Sequence, residues 1–148
     1  MASKDEEELQ KLSVELRLLE QTAEALQSRM GMVNAAANDL MYAQAALEGL
    51  DKETDKSEIL VPIGGTSYIR AKLENPDKVI VGMGAGVSVE KTRVEAKEIV
   101  KKRLEDMEKT RKSIQEQYTQ VAERINNDRR RAERLVAAAK EKDTQENV

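Results

Sequence analysis

The sequence predicts an α+β fold, a long antiparallel coiled-coil hairpin with a four-stranded, two-hairpin β insert. Three observations carry this reading. Two long segments rich in Leu, Ala, Glu, Lys and Arg flank the middle of the chain and contain almost no helix breakers. Both repeat apolar residues at heptad spacing, the signature of a coiled coil. Between them, Glu58 to Lys91 gathers both prolines, most of the glycines and a dense set of β-branched residues. The 148 residues therefore read as one domain: helix 4–50, β insert 58–90, helix 92–142 and a frayed tail 143–148.

Composition narrows the function classes. Charged residues make up 36% of the chain and aromatics 2%, with no Phe or Trp. Without large side chains a thick globular core is hard to build, which favours long helices. A net charge of −3 argues against a binder of phosphate backbones. The chain has no Cys and no His, so the commonest metal ligands and the commonest general base are missing. No metal, cofactor or enzymatic activity is expected. The acidic start, Met1 to Glu8, is no signal peptide, and no apolar run reaches membrane-spanning length. The expected setting is cytoplasmic, without nucleic acid or membrane.

The first helix opens on Ser3 and Glu6, a capping-box pair, with acidic residues in its first turn. One seam position holds Leu9, Leu16, Ala23, Met30, Ala37 and Gln44; the other holds Leu12, Leu19, Leu26, Val33, Leu40 and Leu47. Gly49 is a stop signal, and residues 51–57 form a charged linker. In the insert, Ile59 to Ile63 is a short strand whose Pro62 suggests an edge. Gly64-Gly65 turns the chain into a second strand, where Ile69, Ala71 and Leu73 alternate with Arg70 and Lys72. Asn75-Pro76-Asp77 is the next turn. Val79 to Val81 is apolar on both faces, which predicts cover on both sides. Residues 82–86, Gly-Met-Gly-Ala-Gly, form a turn or bulge before Val87 and Val89. The second helix opens on the capping box Thr92/Glu95. Its seam holds Val100, Met107, Ile114, Val121, Asp128 and Leu135 at one position. Lys97, Leu104, Arg111, Tyr118, Ile125, Ala132 and Ala139 hold the other.

One antiparallel register satisfies both seams. Leu9 faces Leu135, Leu19 faces Ile125, Leu26 faces Tyr118, Met30 faces Ile114, Ala37 faces Met107 and Leu40 faces Leu104. The layers of Leu16 with Asp128, Val33 with Arg111, and those of Gln44 and Lys97 fit poorly. Each helix would be roughly 70 Å long at about 1.5 Å per residue, against about 35–40 Å for a compact domain of this length. Strands at one end of such a rod would keep open edges and apolar faces, so they are expected to pair with other subunits. The assembly candidates are Ile59, Leu60, Val61, Ile63, Ile69, Val79, Ile80, Val81, Val87 and Val89.

Residues 60–73, Leu-Val-Pro-Ile-Gly-Gly-Thr-Ser-Tyr-Ile-Arg-Ala-Lys-Leu, and 79–91, Val-Ile-Val-Gly-Met-Gly-Ala-Gly-Val-Ser-Val-Glu-Lys, resemble the α-type subunit of prefoldin. So does the order helix, four strands, helix, over essentially the whole chain. The absence of Cys and the compact termini resemble archaeal members. The resemblance implies a hetero-hexamer of two α-type and four β-type subunits. The strands would oligomerise into a β-barrel platform carrying coiled-coil arms. It further implies a molecular chaperone for protein folding that binds unfolded proteins at the arm tips and delivers them to a group II chaperonin without ATP.

Blander readings stand beside these. Gly82, Gly84 and Gly86 lack the spacing of a phosphate loop and read as a turn. The arginines of 128–134 are interleaved with acids and read as a solvated, ion-paired face. At the tips, Leu9, Leu12, Val14, Leu135 and Val136 are the client-binding candidates. Leu9, Leu12 and Leu135 could equally just close the seam, whereas Val14 and Val136 lie off it. A structural scaffold or tether, oligomerised through the insert, is the alternative function. An RNA-binding helical arm is a weaker third, disfavoured by charge.

Overall fold

The computed structural model describes residues 3–147. Helix α1 (Lys4–Leu50) is followed by strands β1 (Glu58–Gly64), β2 (Ser67–Lys72), β3 (Lys78–Gly84) and β4 (Val87–Thr92), then helix α2 (Arg93–Glu146). α2 thus continues four residues past its expected end, and Val148 lies outside the described residues. The chain divides into two compact units. One combines the residues up to Asn34 with those from Thr110 onward; the other is Ala35–Lys109.

In the first unit α1 starts as its capping pair predicts. The Glu6 N–H donates to Ser3 Oγ at 3.3 Å, and Asp5, Glu6 and Glu7 lie on the positive end of the helix dipole. Leu12, Leu26, Ile114 and Ile125 are buried in the seam, and Leu9, Leu16, Leu19, Met30, Tyr118, Val121 and Leu135 are half-buried. Ala138, one residue before the expected Ala139, is the half-buried position at the end of the α2 seam. Cross-helix pairs fix the direction. Asp5 meets Lys142, Glu8 meets Arg131, Glu15 meets Arg124 at 2.6 Å and Glu20 meets Arg129 at 2.8 Å. Further along, Gln27 Nε2 donates to the Tyr118 hydroxyl at 3.0 Å. From Asp5 with Lys142 at one end to Gln27 with Tyr118 at the other, α1 numbers rise as α2 numbers fall overall, so the pair is antiparallel. Leu26, Met30, Ile114 and Tyr118 line one small cavity, as the proposed register requires. Each exposed ion pair contributes about 0.2–1 kcal/mol, whereas each buried Leu or Ile contributes about 1.5–3. The seam therefore dominates stability.

In the second unit each hairpin is its own two-stranded antiparallel sheet, β1 with β2 and β3 with β4. Both turn on two-residue loops, Gly65-Thr66 and Ala85-Gly86. All four residues have positive φ, as a type I′ turn needs to match strand twist. The register slips at Pro62/Gly64 and at Gly82/Gly84, so residues 82–86 supply both a bulge and a turn. Helix and sheet meet at a small core of Leu47, Ala96 and Val100, against which Leu40, Leu104, Val79 and Val81 pack. This corrects the expectation for β3. The chain's own helices cover Val79 and Val81, but Ile80 between them is 78% exposed. A strand sends alternate side chains to opposite faces, so one helical core can cover only one of them.

The second capping box is complete. Glu95 N–H donates to Thr92 Oγ1 at 3.1 Å, and Thr92 N–H donates to Glu95 Oε2 at 3.2 Å. Replacing Thr92 by Ala is expected to cost about 1 kcal/mol. The check is a lower urea midpoint with an unchanged slope.

Candidate functional site

The candidate residues fall into two groups, one in each unit. Near the helix ends that carry the termini, Leu12 is 7% exposed and belongs to the seam, with Leu9 and Leu135 half-buried beside it. Val14 and Val136 point to solvent, 58% and 43% exposed. Sequence reasoning missed Leu18, also 58% exposed. It stands one turn after Val14, so the two share a face of α1. Its signal was available, since Leu18 is a large apolar residue off both seam positions. Val136 and Ala137 line a shallow groove with Ala132, Glu133 and Lys140. These helix ends combine a closed apolar seam with isolated apolar side chains among paired charges.

The second group is the strand surface. Leu60, Val61, Ile63, Ile69, Ile80, Val87 and Val89 are all exposed, and Tyr68 and Met83 join them. Ile59 is half-buried, and Val79 and Val81 face the helical core. Both hairpins leave both edges unpaired by any other strand among the described residues. Exposed apolar side chains on open edges form a surface suited to other strands, and a risk of aggregation if nothing covers it.

A charged junction fixes this surface to the helices. Arg93, the first residue of α2, is mostly buried; its Nη1 donates to the Leu50 carbonyl at 3.0 Å, the end of α1. It also reaches the Pro76 carbonyl at 3.5 Å, Asp77 at 3.5 Å and Asp51 at 2.9 Å. The Asp51 contact with Nε is one of charge and distance, without an aligned hydrogen bond. Lys97 closes on the other Asp51 oxygen. The Lys97 hydrogen bond first, and the Lys97 and Arg93 charges after it, hold the Asp51 carboxyl below its usual pKa against the opposing effect of burial. Lys97, placed by its heptad position in the seam, instead serves this junction while Ala96 and Val100 fill the core. On the strand side, Arg103 Nη2 donates to the Gly82 carbonyl at 2.7 Å. The Leu50 carbonyl that Arg93 meets is one that the end of α1 leaves without a helical partner.

Among the described residues no group of His, Cys, Asp and Glu is placed to hold a metal. No described helix is long and apolar enough to cross a membrane.

The prefoldin subunit family model matches residues 19–138. A prefoldin subunit alpha of Methanococcoides burtonii is 32% identical over 125 residues, covering 84% of this chain and 91% of the relative. One of Pyrococcus horikoshii is 31% identical over 134 residues, covering 90% of each. Among solved structures, the filamentous PFD of Methanocaldococcus jannaschii matches the fold with a TM-score of 0.65 at 23% identity, over 75% of this chain and 92% of that one. With two long helices, two β-hairpins and this match over most of its length, the chain belongs to the prefoldin family of chaperone subunits.

Proposed function

We propose that the chain is the α-type subunit of a cytoplasmic hetero-hexamer with four β-type partners, working without ATP. In this reading the strands build the platform, and the helix ends near the termini bind unfolded proteins for delivery to a group II chaperonin. The observation that carries it is the exposed strand surface, Leu60, Val61, Ile63, Ile69, Ile80, Val87 and Val89. A soluble chain keeps so much apolar edge only when other subunits cover it. Val14, Leu18 and Val136 supply the apolar contacts at the helix ends. Each such contact is weak. Several copies on one platform raise the effective concentration, which allows capture without a pocket of fixed shape.

The test is aggregation of a chemically denatured client, followed by light scattering, with this chain co-assembled with a β-type subunit. The full assembly is expected to suppress scattering. Trimming 3–18 and 131–147 is expected to raise the amount needed by roughly tenfold or more. Undiminished protection after trimming sinks the client-binding role of the helix ends. No protection by the full assembly favours the scaffold reading.

A further inference from the structure

A carboxylate stands in the seam of the first unit. Asp128 occupies the heptad position that Val121 and Leu135 fill seven residues to either side, and it is half-buried. Its Oδ2 is shut off from solvent and has no hydrogen-bond partner. From α1, Glu15 is held at 2.6 Å by Arg124, one turn before Asp128 on α2, which sets a second carboxylate beside this layer. From α2, the charged neighbours are Arg124 and Arg131. Both are committed elsewhere, Arg124 to Glu15 at 2.6 Å and Arg131 to Glu8.

Two ionised carboxylates are acceptors only, so no hydrogen bond can join them. One proton turns them into a donor and an acceptor. We propose that Asp128 and Glu15 form a proton-operated latch between the two helices. Protonated, the Asp128 carboxyl donates to Glu15 and the layer closes. Ionised, it leaves a buried acceptor unsatisfied and loosens the neighbouring Leu12, Leu16 and Leu135 layers. Burial chiefly, then the Glu15 charge and a hydrogen bond to Glu15 that only the protonated carboxyl can donate, raise the Asp128 pKa; Arg124 and Arg131 oppose this. The sign follows. A raised folded-state pKa gives stability that is fully present below the unfolded value and is lost as pH rises through the folded one. The latch therefore tightens on acidification. The latch itself does not depend on client binding; if these helix ends hold clients as proposed above, the ionised state is the receptive one.

The test is amide hydrogen exchange on the full chain, corrected for intrinsic rates, comparing wild type with Asp128→Asn from neutral pH to about pH 4. Asn keeps the shape and donates at every pH. At neutral pH the variant's segments around Glu15 and Asp128 are expected to be roughly fivefold better protected than wild type. The gap is expected to close at acid pH. Segments around Leu47 and Val100 should not differ between the two proteins. Equal or weaker protection in the variant at neutral pH, or a gap that does not change with pH, overturns the latch.

Discussion

Replacing Leu60 and Ile80 together by lysine is expected to leave this chain unable to co-assemble, while its own fold stays intact. Leu60 is 63% exposed and Ile80 78%, so neither supports the core of the isolated chain. Each sits on a different hairpin, in β1 and β3, so the pair challenges both sheets at once. Covering a Leu or Ile at an interface contributes about 1.5–3 kcal/mol, and forcing an unpaired ammonium into the same place costs several more. The loss is then about 6 kcal/mol or greater, about ten-thousand-fold in affinity. Native mass spectrometry of the co-expressed subunits should show the free chain only. Thermal unfolding of the isolated chain should stay within about 0.5 kcal/mol of wild type, as for surface changes. An assembly of normal mass would remove the strand surface from the interface. The control is Val79→Lys, which strikes the chain's own Leu47, Ala96 and Val100 core and should lower stability even in isolation.

The contrast between Val79 and Ile80 marks where the sequence stops being informative. Heptad spacing placed the α1 seam from Leu9 to Leu47 correctly, because a single period decides which side of a helix meets its partner. The hairpins were legible for a similar local reason, since their glycines and Asn75 mark where positive φ is needed. In Val79-Ile-Val81, however, both faces are apolar, so alternation cannot choose which one the helices cover. Asp128 was visible as a flaw in the seam, but its company was not. Arg124 and Arg131 could have paired with it, and only the cross-helix geometry commits them to Glu15 and Glu8. The candidates at the helix ends were legible by contrast. Heptad phase puts Leu12 on the seam and Val14 off it, and Leu12 is buried where Val14 is exposed.

Arg93 is the residue whose role was least legible and whose loss is expected to disturb the chain itself most. Its partners, Leu50, Asp51, Pro76 and Asp77, come from the end of α1 with the residue after it and from the turn before β3, distant in sequence. Arg93→Met keeps much of the apolar stem and removes the guanidinium fork. The hydrogen bond from the charged fork to the Leu50 carbonyl would be lost, at about 2 kcal/mol, and the Pro76 carbonyl would lose its weaker contact. The end of α1 and the start of β3 would then no longer share an anchor. Asp51 would keep Lys97, so its pKa should rise toward the ordinary value without reaching it. The sign follows from the depressed carboxyl. Its pairing stabilises above the usual Asp range and is lost as pH falls through the folded pKa. Wild type should therefore lose part of its advantage over Arg93→Met on acidification. Urea unfolding of both proteins at neutral and acid pH measures this directly. Hydrogen exchange should show the loss concentrated at residues 48–57 and 74–80. An Arg93→Met protein as stable as wild type, with unchanged exchange there, would mean that the Leu47, Ala96 and Val100 core holds the hairpins to the helices without the charged junction.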